Sequence, residues 1–188
     1  MRNTRDDVIV AALGVLDTHG LEFCSMRRFA VALDVQPSAL YHHVPNKQTL
    51  LALMADEIVR GVGGDDPVSV CRALRNALLS IRDGADVVAT ASAFRLGASA
   101  VETYLAGMVG DEGARTLLLY TFGQAQSTQT QLQAHEIGAL PAEVAASELT
   151  PEALEAELTT SFDRGIAIIL AGLATQHEAD GTDEREKR

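Results

Sequence analysis

The chain has 188 residues but no tryptophan, only two cysteines and five prolines, and aromatic side chains make up just 4% of it. Each shortage removes a class of protein. Two thiols as far apart in sequence as Cys24 and Cys71 cannot build a disulfide scaffold or a zinc site, so reduced thiols in a cytoplasm are the expectation. The opening MRNTRDD is polar and leads into no apolar stretch of signal-peptide length. The longest apolar run, Gly165 to Ala174, is about half of the ~20 residues that a membrane span needs. Strand-like alternation is missing, and no Asn-Gly or Asp-Gly pair joins two strand-like runs. Catalytic signatures are missing too. There is no Gly-x-Ser-x-Gly and no phosphate-cradling glycine loop, and His135-Glu136 and His177-Glu178 have no partner at metal-ligand spacing. An enzyme is not expected, and neither is a metal or a cofactor.

What is present is helical pattern. Apolar residues reach 47%, mostly Ala, Leu and Val, a composition that suits helices packed closely through small side chains. Thr4 and Asp7 have the spacing of a capping box, and Ile9, Ala12, Leu13 and Leu16 then recur at helical intervals up to a stop at Gly20. Ser25 can cap a second helix running to Leu33, with Phe29, Ala30 and Leu33 turned inward. Asp34-Val35-Gln36 is a break, Pro37 suits the first position of a short third helix, and Pro45 ends it. Asn46 can cap a fourth helix over about 47–62, followed by the Gly- and Asp-rich stretch Gly61 to Pro67. Further helices are expected near 68–82, 86–94, 99–109, 112–135, 151–158 and 161–177, with a loop over 136–148. The fold class is all-α.

Residues 25–43 meet the physical requirements of a helix-turn-helix. Ala30 is small where two helices must approach, and Phe29, Leu33, Val35 and Leu40 can fix their angle. Asp34 stands where a glycine is usual, and an acid tolerates the left-handed conformation at moderate cost. With Leu40 and Val44 inward, Ser38, Ala39, Tyr41 and His42 face outward, a slim tip that fits a DNA major groove. An ordinary surface helix pair has the same spacing. Net charge leaves both readings open. Residues 1–64 hold six basic and seven acidic side chains, net −1, whereas the remaining nine basic and nineteen acidic ones, net −10, account for nearly all of the total of −11. Binding to DNA depends on local phosphate contacts rather than on overall charge.

Residues 5–60 resemble the N-terminal domain of TetR-type transcriptional repressors. The match is carried by the first-helix pattern ending at Gly20, by SMRRFAVALDV, and by PSALYHHVPNK followed by two leucines, in which Leu40, Tyr41, His43, Val44 and Lys47 form the most specific string. More weakly, Arg82 to Ala85 and Phe162 to Leu173 resemble segments of the tetracycline-repressor branch. The resemblance implies a DNA-binding domain over 1–48 with a linking helix at about 47–62, a ligand-binding and dimerisation domain over 65–178, and a flexible tail over 179–188. It implies a cytoplasmic homodimer that binds a palindromic double-stranded DNA operator and is released by a small-molecule inducer. The alternative is a constitutive DNA-binding regulator or activator with no effector.

Residue by residue, the resemblance places Arg27 at a base edge and Gln36, Pro37, Ser38 and Ala39 at the helix tip. Tyr41, His43, Lys47 and Ser25 fall on phosphates, Tyr41 also reaching a base, and His42 faces either solvent or groove. Helices near 112–135 and 161–177 resemble the family's dimerising pair. The stripe Phe162, Ile166, Ile169, Leu170 and Leu173 serves that role or that of a plain core helix, and Gly165 and Gly172 would admit a partner helix. Leu74, Leu78, Thr90, Phe94, Tyr104, Leu117, Tyr120 and Gln124 are candidate effector contacts or ordinary core. QAQSTQTQLQ (124–133) lines a polar pocket or faces water. One departure stands out. Tetracycline-type repressors hold the drug as a magnesium chelate, through a histidine just after the Arg82–Ala85 segment and an acid late in the long helix. Here the histidine's place falls at Val88, and no acid lies between Glu112 and Glu136. A metal-free, more apolar effector is expected.

Overall fold

The computed structural model describes residues 3–137 and 150–186, and no strand occurs among them. The helices are α1 (Arg5–His19), α2 (Met26–Ala32), α3 (Pro37–Leu40), α4 (Lys47–Ile58), α5 (Pro67–Leu79), α6 (Gly84–Ala93), α7 (Ser99–Glu136) and α8 (Pro151–Glu186), with a 3-10 turn over Leu21–Phe23.

Local chemistry explains their ends. The Thr4 hydroxyl accepts the Asp7 N–H at 3.2 Å, and the Asp7 carboxylate accepts the Thr4 N–H at 2.7 Å, which completes the capping box. These bonds hold the Asp7 carboxyl below its ordinary range, so the cap is intact at neutral pH and is lost as pH falls through that lowered value. Asn46 caps α4 by accepting the Thr49 N–H at 2.8 Å. At Gly20 the chain leaves α1 with φ 83° and ψ 167°, a region essentially open to glycine alone. Gly110 adopts φ 74° and ψ 168°, outside helical space, so α7 is two helices that meet at this residue, as the stretches expected at 99–109 and 112–135 implied. The expected 151–158 and 161–177 stretches, by contrast, join in one helix, α8. Its backbone stays helical through Glu186, where the charge run suggested a frayed tail. The 136–148 loop falls outside the described residues beyond Ile137.

The chain divides into two compact units, Met1–Gly63 with Ala73–Val101, and Gly64–Arg72 with Glu102–Arg188. In the first, α1 packs on α2 and α4, α2 on α3, and α4 on α6. Val8, Ala12, Leu16, Phe29, Ala30, Leu40, Val44, Leu50 and Met54 are its buried centre, whereas Leu13, Leu33, Leu53 and Ile58 are only half-buried. Although α6 lies beyond the glycine-rich stretch in sequence, it belongs to this first unit. Three carboxylate–amide bonds tie its flanks there. The Asp83 carboxylate accepts the Leu21 N–H at 2.8 Å, Asp17 accepts the Arg82 N–H at 3.2 Å, and Asp56 accepts the Ala98 N–H at 2.7 Å.

In the second unit, α7 and α8 run antiparallel. Gln124 Nε2 donates to the Leu158 carbonyl at 3.0 Å, and the Tyr120 ring stacks on Phe162 at 5.7 Å. Arg72 forms a two-pronged ion pair with Asp163, at 2.8 and 2.9 Å. Both cysteines are buried and free. Burial raises the Cys71 thiol to about 11 and shifts Cys24 upward as well, so neither is a thiolate at neutral pH.

A side chain at position 20 would meet the Asp83 carboxylate at 2.9 Å as well as strain the backbone. Gly20→Ala should therefore lower stability by about 1–3 kcal/mol in urea unfolding. A loss below about 0.5 kcal/mol, the range of a neutral surface change, would show that the turn accepts a side chain.

Candidate nucleic-acid interface

The candidate interface is built by how α2 ends. Leu33 caps it, Asp34 takes the left-handed conformation at φ 54°, and two closing bonds follow. The Asp34 N–H donates to the Val31 carbonyl at 3.1 Å and the Val35 N–H to the Ala30 carbonyl at 3.0 Å. That pair of bonds is a Schellman cap, formed here with an aspartate in place of glycine. It turns the chain sharply, and Gln36 is extended before Pro37 opens α3. The third helix has only four residues, after which hydrogen-bonded turns carry the chain to Val44.

Leu40 and Val44 are buried, and they anchor the segment from beneath. Gln36, Ser38, Tyr41 and His42 are exposed above them, while Pro37, Ala39 and His43 are half-buried. Tyr41 is 53% exposed, so it does not plug the core. Ser25 is exposed and caps α2 by accepting the Arg28 N–H at 3.3 Å; Arg27, beside it, is exposed. Lys47 is half-buried at the first position of α4, where the positive helix end adds to its charge.

A cleft of about 320 Å³ gathers Ala39, His42 and His43 with Asn3, over a floor that includes Val8 and Leu40. Asn3 carries no sequence signal of its own, because it precedes the first helix and meets this segment only in three dimensions. Arg28 is a second side chain that the sequence did not single out. Its guanidinium carbon lies 5.0 Å from the centre of the Phe23 ring. The signal was a phenylalanine five residues before an arginine across a tight turn.

The eight candidate effector contacts divide between the units. Leu74 and Leu78 are buried in the first, which also holds the exposed Thr90 and Phe94. Leu117 is buried in the second, and Tyr104, Tyr120 and Gln124 there bond to the carbonyls of Gly64, Phe162 and Leu158. The polar stretch 124–133 is partly interior, since Thr128 and Gln129 are buried while Ser127 and Thr130 are exposed.

Of the α8 stripe, Phe162 and Ile166 are fully buried within the chain, whereas Ile169, Leu170 and Leu173 are half-buried. The space beside Gly165 is taken by Tyr120 of the same chain rather than left for a partner helix; Gly172 has nothing within 4 Å of an added Cβ. Leu170 and Leu173 line a cleft of about 400 Å³ with Gly107 to Gly110. Leu119 and Ile168, 63% and 67% exposed, are the apolar side chains that α7 and α8 leave in solvent near mid-length.

No protein-family model matches the chain. The tetracycline repressor protein class A from transposon 1721 of Escherichia coli is 31% identical over 194 residues, covering 89% of this chain and 88% of that protein. The crystal structure of Mycobacterium smegmatis BioQ superposes with a TM-score of 0.76 at 33% identity, over 92% of this chain and 98% of that one. BioQ with its natural double-stranded DNA operator gives 0.74 at 31% identity, with the same coverage. Streptomyces coelicolor ActR in complex with (S)-DNPA gives 0.66 at 26% identity, covering 94% and 99%.

Proposed function

The chain belongs to the TetR family of DNA-binding transcriptional regulators, non-enzymatic proteins with a helix-turn-helix, and from that premise we propose that it is a homodimeric repressor of a palindromic operator, released by a small-molecule effector. The observation that carries this reading is the tip, where Gln36, Ser38, Tyr41 and His42 stand exposed above the buried Leu40 and Val44. Arg27 takes a guanine edge in a two-pronged hydrogen bond, Gln36 to Ala39 sense neighbouring bases, and Tyr41, His43, Ser25 and Lys47 set the register on phosphates. His42, exposed beside them, completes the face. This division of labour follows from chemistry. A planar fork discriminates bases, whereas an ammonium ion is a point charge suited to a phosphate.

Dimerisation runs through α7 and α8. Leu119 and Ile168 supply exposed apolar area, Ile169, Leu170 and Leu173 supply half-buried area, and Phe162 and Ile166 stiffen the helix from inside. The effector reading draws on kinship with ActR, whose structure holds (S)-DNPA. Such a ligand weakens DNA binding only by its differential affinity for a conformer with misplaced reading heads. A magnesium-held tetracycline does not fit. Val88 is buried and offers no donor where a histidine ligand is required. No group of three or more His, Cys, Asp or Glu among the described residues could hold a metal. No described helix is long and apolar enough to cross a membrane.

The binding experiment is a salt titration on an inverted-repeat duplex. Lys47→Ala should weaken binding equally on all base variants and flatten the salt slope by about 0.9 per subunit. Arg27→Ala should instead relax preference at one base pair, a loss of about 1–3 kcal/mol of discrimination. Failure of a dimeric preparation to retard any inverted-repeat duplex at low salt would defeat the operator reading. For the effector, a metabolite panel read by thermal shift should yield a stabilising compound whose addition releases DNA; a panel without one favours the constitutive alternative. Tetracycline with magnesium should leave the melting temperature unchanged, and magnesium-dependent binding at micromolar concentration would reverse the metal-free assignment.

A further inference from the structure

We infer that Phe23 and Arg28 form a phosphate clamp on the reading head, an aromatic platform that aims one guanidinium at the DNA backbone beside the base-reading Arg27. The Phe23 ring is 46% exposed, and the guanidinium carbon of Arg28 stands 5.0 Å from its centre. A guanidinium over an aromatic face keeps its N–H edge available, so stacking and forked hydrogen bonding to a phosphate are compatible.

The platform is held firmly. Phe23 closes the 3-10 turn, its N–H donating to the Gly20 carbonyl at 3.2 Å. The first residue of that turn, Leu21, is fixed by the Asp83 carboxylate at 2.8 Å, and the next residue, Cys24, is buried with its thiol 3.6 Å from the Gly20 carbonyl. At the other end, the Arg28 amide is tied to the Ser25 hydroxyl. Both partners therefore have restrained backbones, and the stack removes much of the rotamer freedom that a long side chain would lose on binding.

Beyond the stack on Phe23, folding gives little reason for Arg28. A positive charge in the first turn of a helix opposes the helix dipole, and among the described residues Arg28 has no ion pair. A half-exposed phenylalanine is equally unhelpful to the core. Both choices make sense if a phosphate completes the stack. The inference rests on DNA binding by this head, but not on a palindromic operator or on an effector.

The probe is one duplex recovered from a randomised library by the wild-type protein, with a set of its single-base variants, measured by fluorescence anisotropy across a salt series. Arg28→Gln should lower affinity by one common factor on every variant and flatten the log–log salt slope by about 0.9 per subunit. Phe23→Leu, which keeps the charge, should weaken binding about 2–5-fold, and Phe23→Tyr should restore it. In the Arg28→Gln background, Phe23→Leu should cost nothing further. Arg28→Lys, which keeps charge without the planar fork, should retain the slope and lose a few-fold in affinity. Melting temperatures of all five variants, the double variant included, confirm that each is folded. Three results would overturn the clamp: a reordering of the base variants by Arg28→Gln, an unchanged slope, or an equal cost of Phe23→Leu with and without Arg28. If the wild-type protein enriches no duplex, DNA binding by this head falls, and the clamp with it.

Discussion

The reading head depends on how a four-residue helix is held. Isolated helices shorter than about 12–15 residues are marginal in water, so Pro37–Leu40 owes nothing to its own cooperativity. It exists because Leu40 and Val44 are buried beneath it and because the Schellman cap at Asp34 delivers the chain at one angle. Burying a leucine side chain stabilises by about 1.5–3 kcal/mol, which exceeds what four residues of helix propensity could supply. The same anchoring decides what faces out. Once Leu40 and Val44 are fixed inward, helical geometry leaves Ser38, Tyr41 and His42 on the outer side.

A second constraint ties this head to α6. The amides of Leu21, Arg82 and Ala98 lie in turns where no regular helix supplies an acceptor, and the side chains of Asp83, Asp17 and Asp56 supply it instead. Asp83 and Ala98 are themselves left-handed, at φ 55° and 61°, so the bonds also hold costly backbone. The start of α6 is thereby fastened to the end of α1 and its following turn, and the far flank to α4, which begins at Lys47. A ligand that favoured a displaced α6 would have to break these bonds or move α4 with it. Its affinity difference between the two arrangements must exceed their cost.

Sequence made the local signals plain and hid those that arise only on folding. The Thr4–Asp7 box, the Ser25 and Asn46 caps and the stop at Gly20 each rest on residues within four positions of one another. All carry the chemistry that the positions require. The end of α6, expected at 94, falls on its C-cap Phe94, but the way it closes was less visible. Its closing bonds, Arg95 N–H to the Ser92 carbonyl and Leu96 N–H to Ala91, form around a left-handed arginine, and nothing in an arginine announces that conformation. Packing of α6 on α4 is non-local, so the glycine-rich stretch looked like a cleaner boundary than it is. The α8 stripe showed the opposite failure. Its period was correct, but period alone does not separate Phe162 and Ile166, buried inside the chain, from Ile169, Leu170 and Leu173, left half-buried. At the head, Tyr41 and Arg27 are exposed, whereas Asn3 meets Ala39, His42 and His43 only through folding that a linear pattern does not display.

The small size of the tip bears on the assembly. A four-residue helix presents one turn of side chains, so a single head can address only a few base pairs. Of the side chains proposed to reach bases, Arg27 has a guanidinium fork and Gln36 a planar amide, and Pro37 and Ala39 offer only apolar contact. At about 1–3 kcal/mol for each good two-pronged base contact, one head reaches at most the lower part of the ~4–10 kcal/mol that separates specific from non-specific binding. Two heads on one duplex double the base contacts and the phosphate contacts together. The net charge of −1 over residues 1–64 makes the same point from the other side, because without a general electrostatic excess each phosphate contact has to be placed individually. A head this economical is sufficient when its protomer is duplicated, and the apolar side chains left exposed on α7 and α8 are what that duplication would consume.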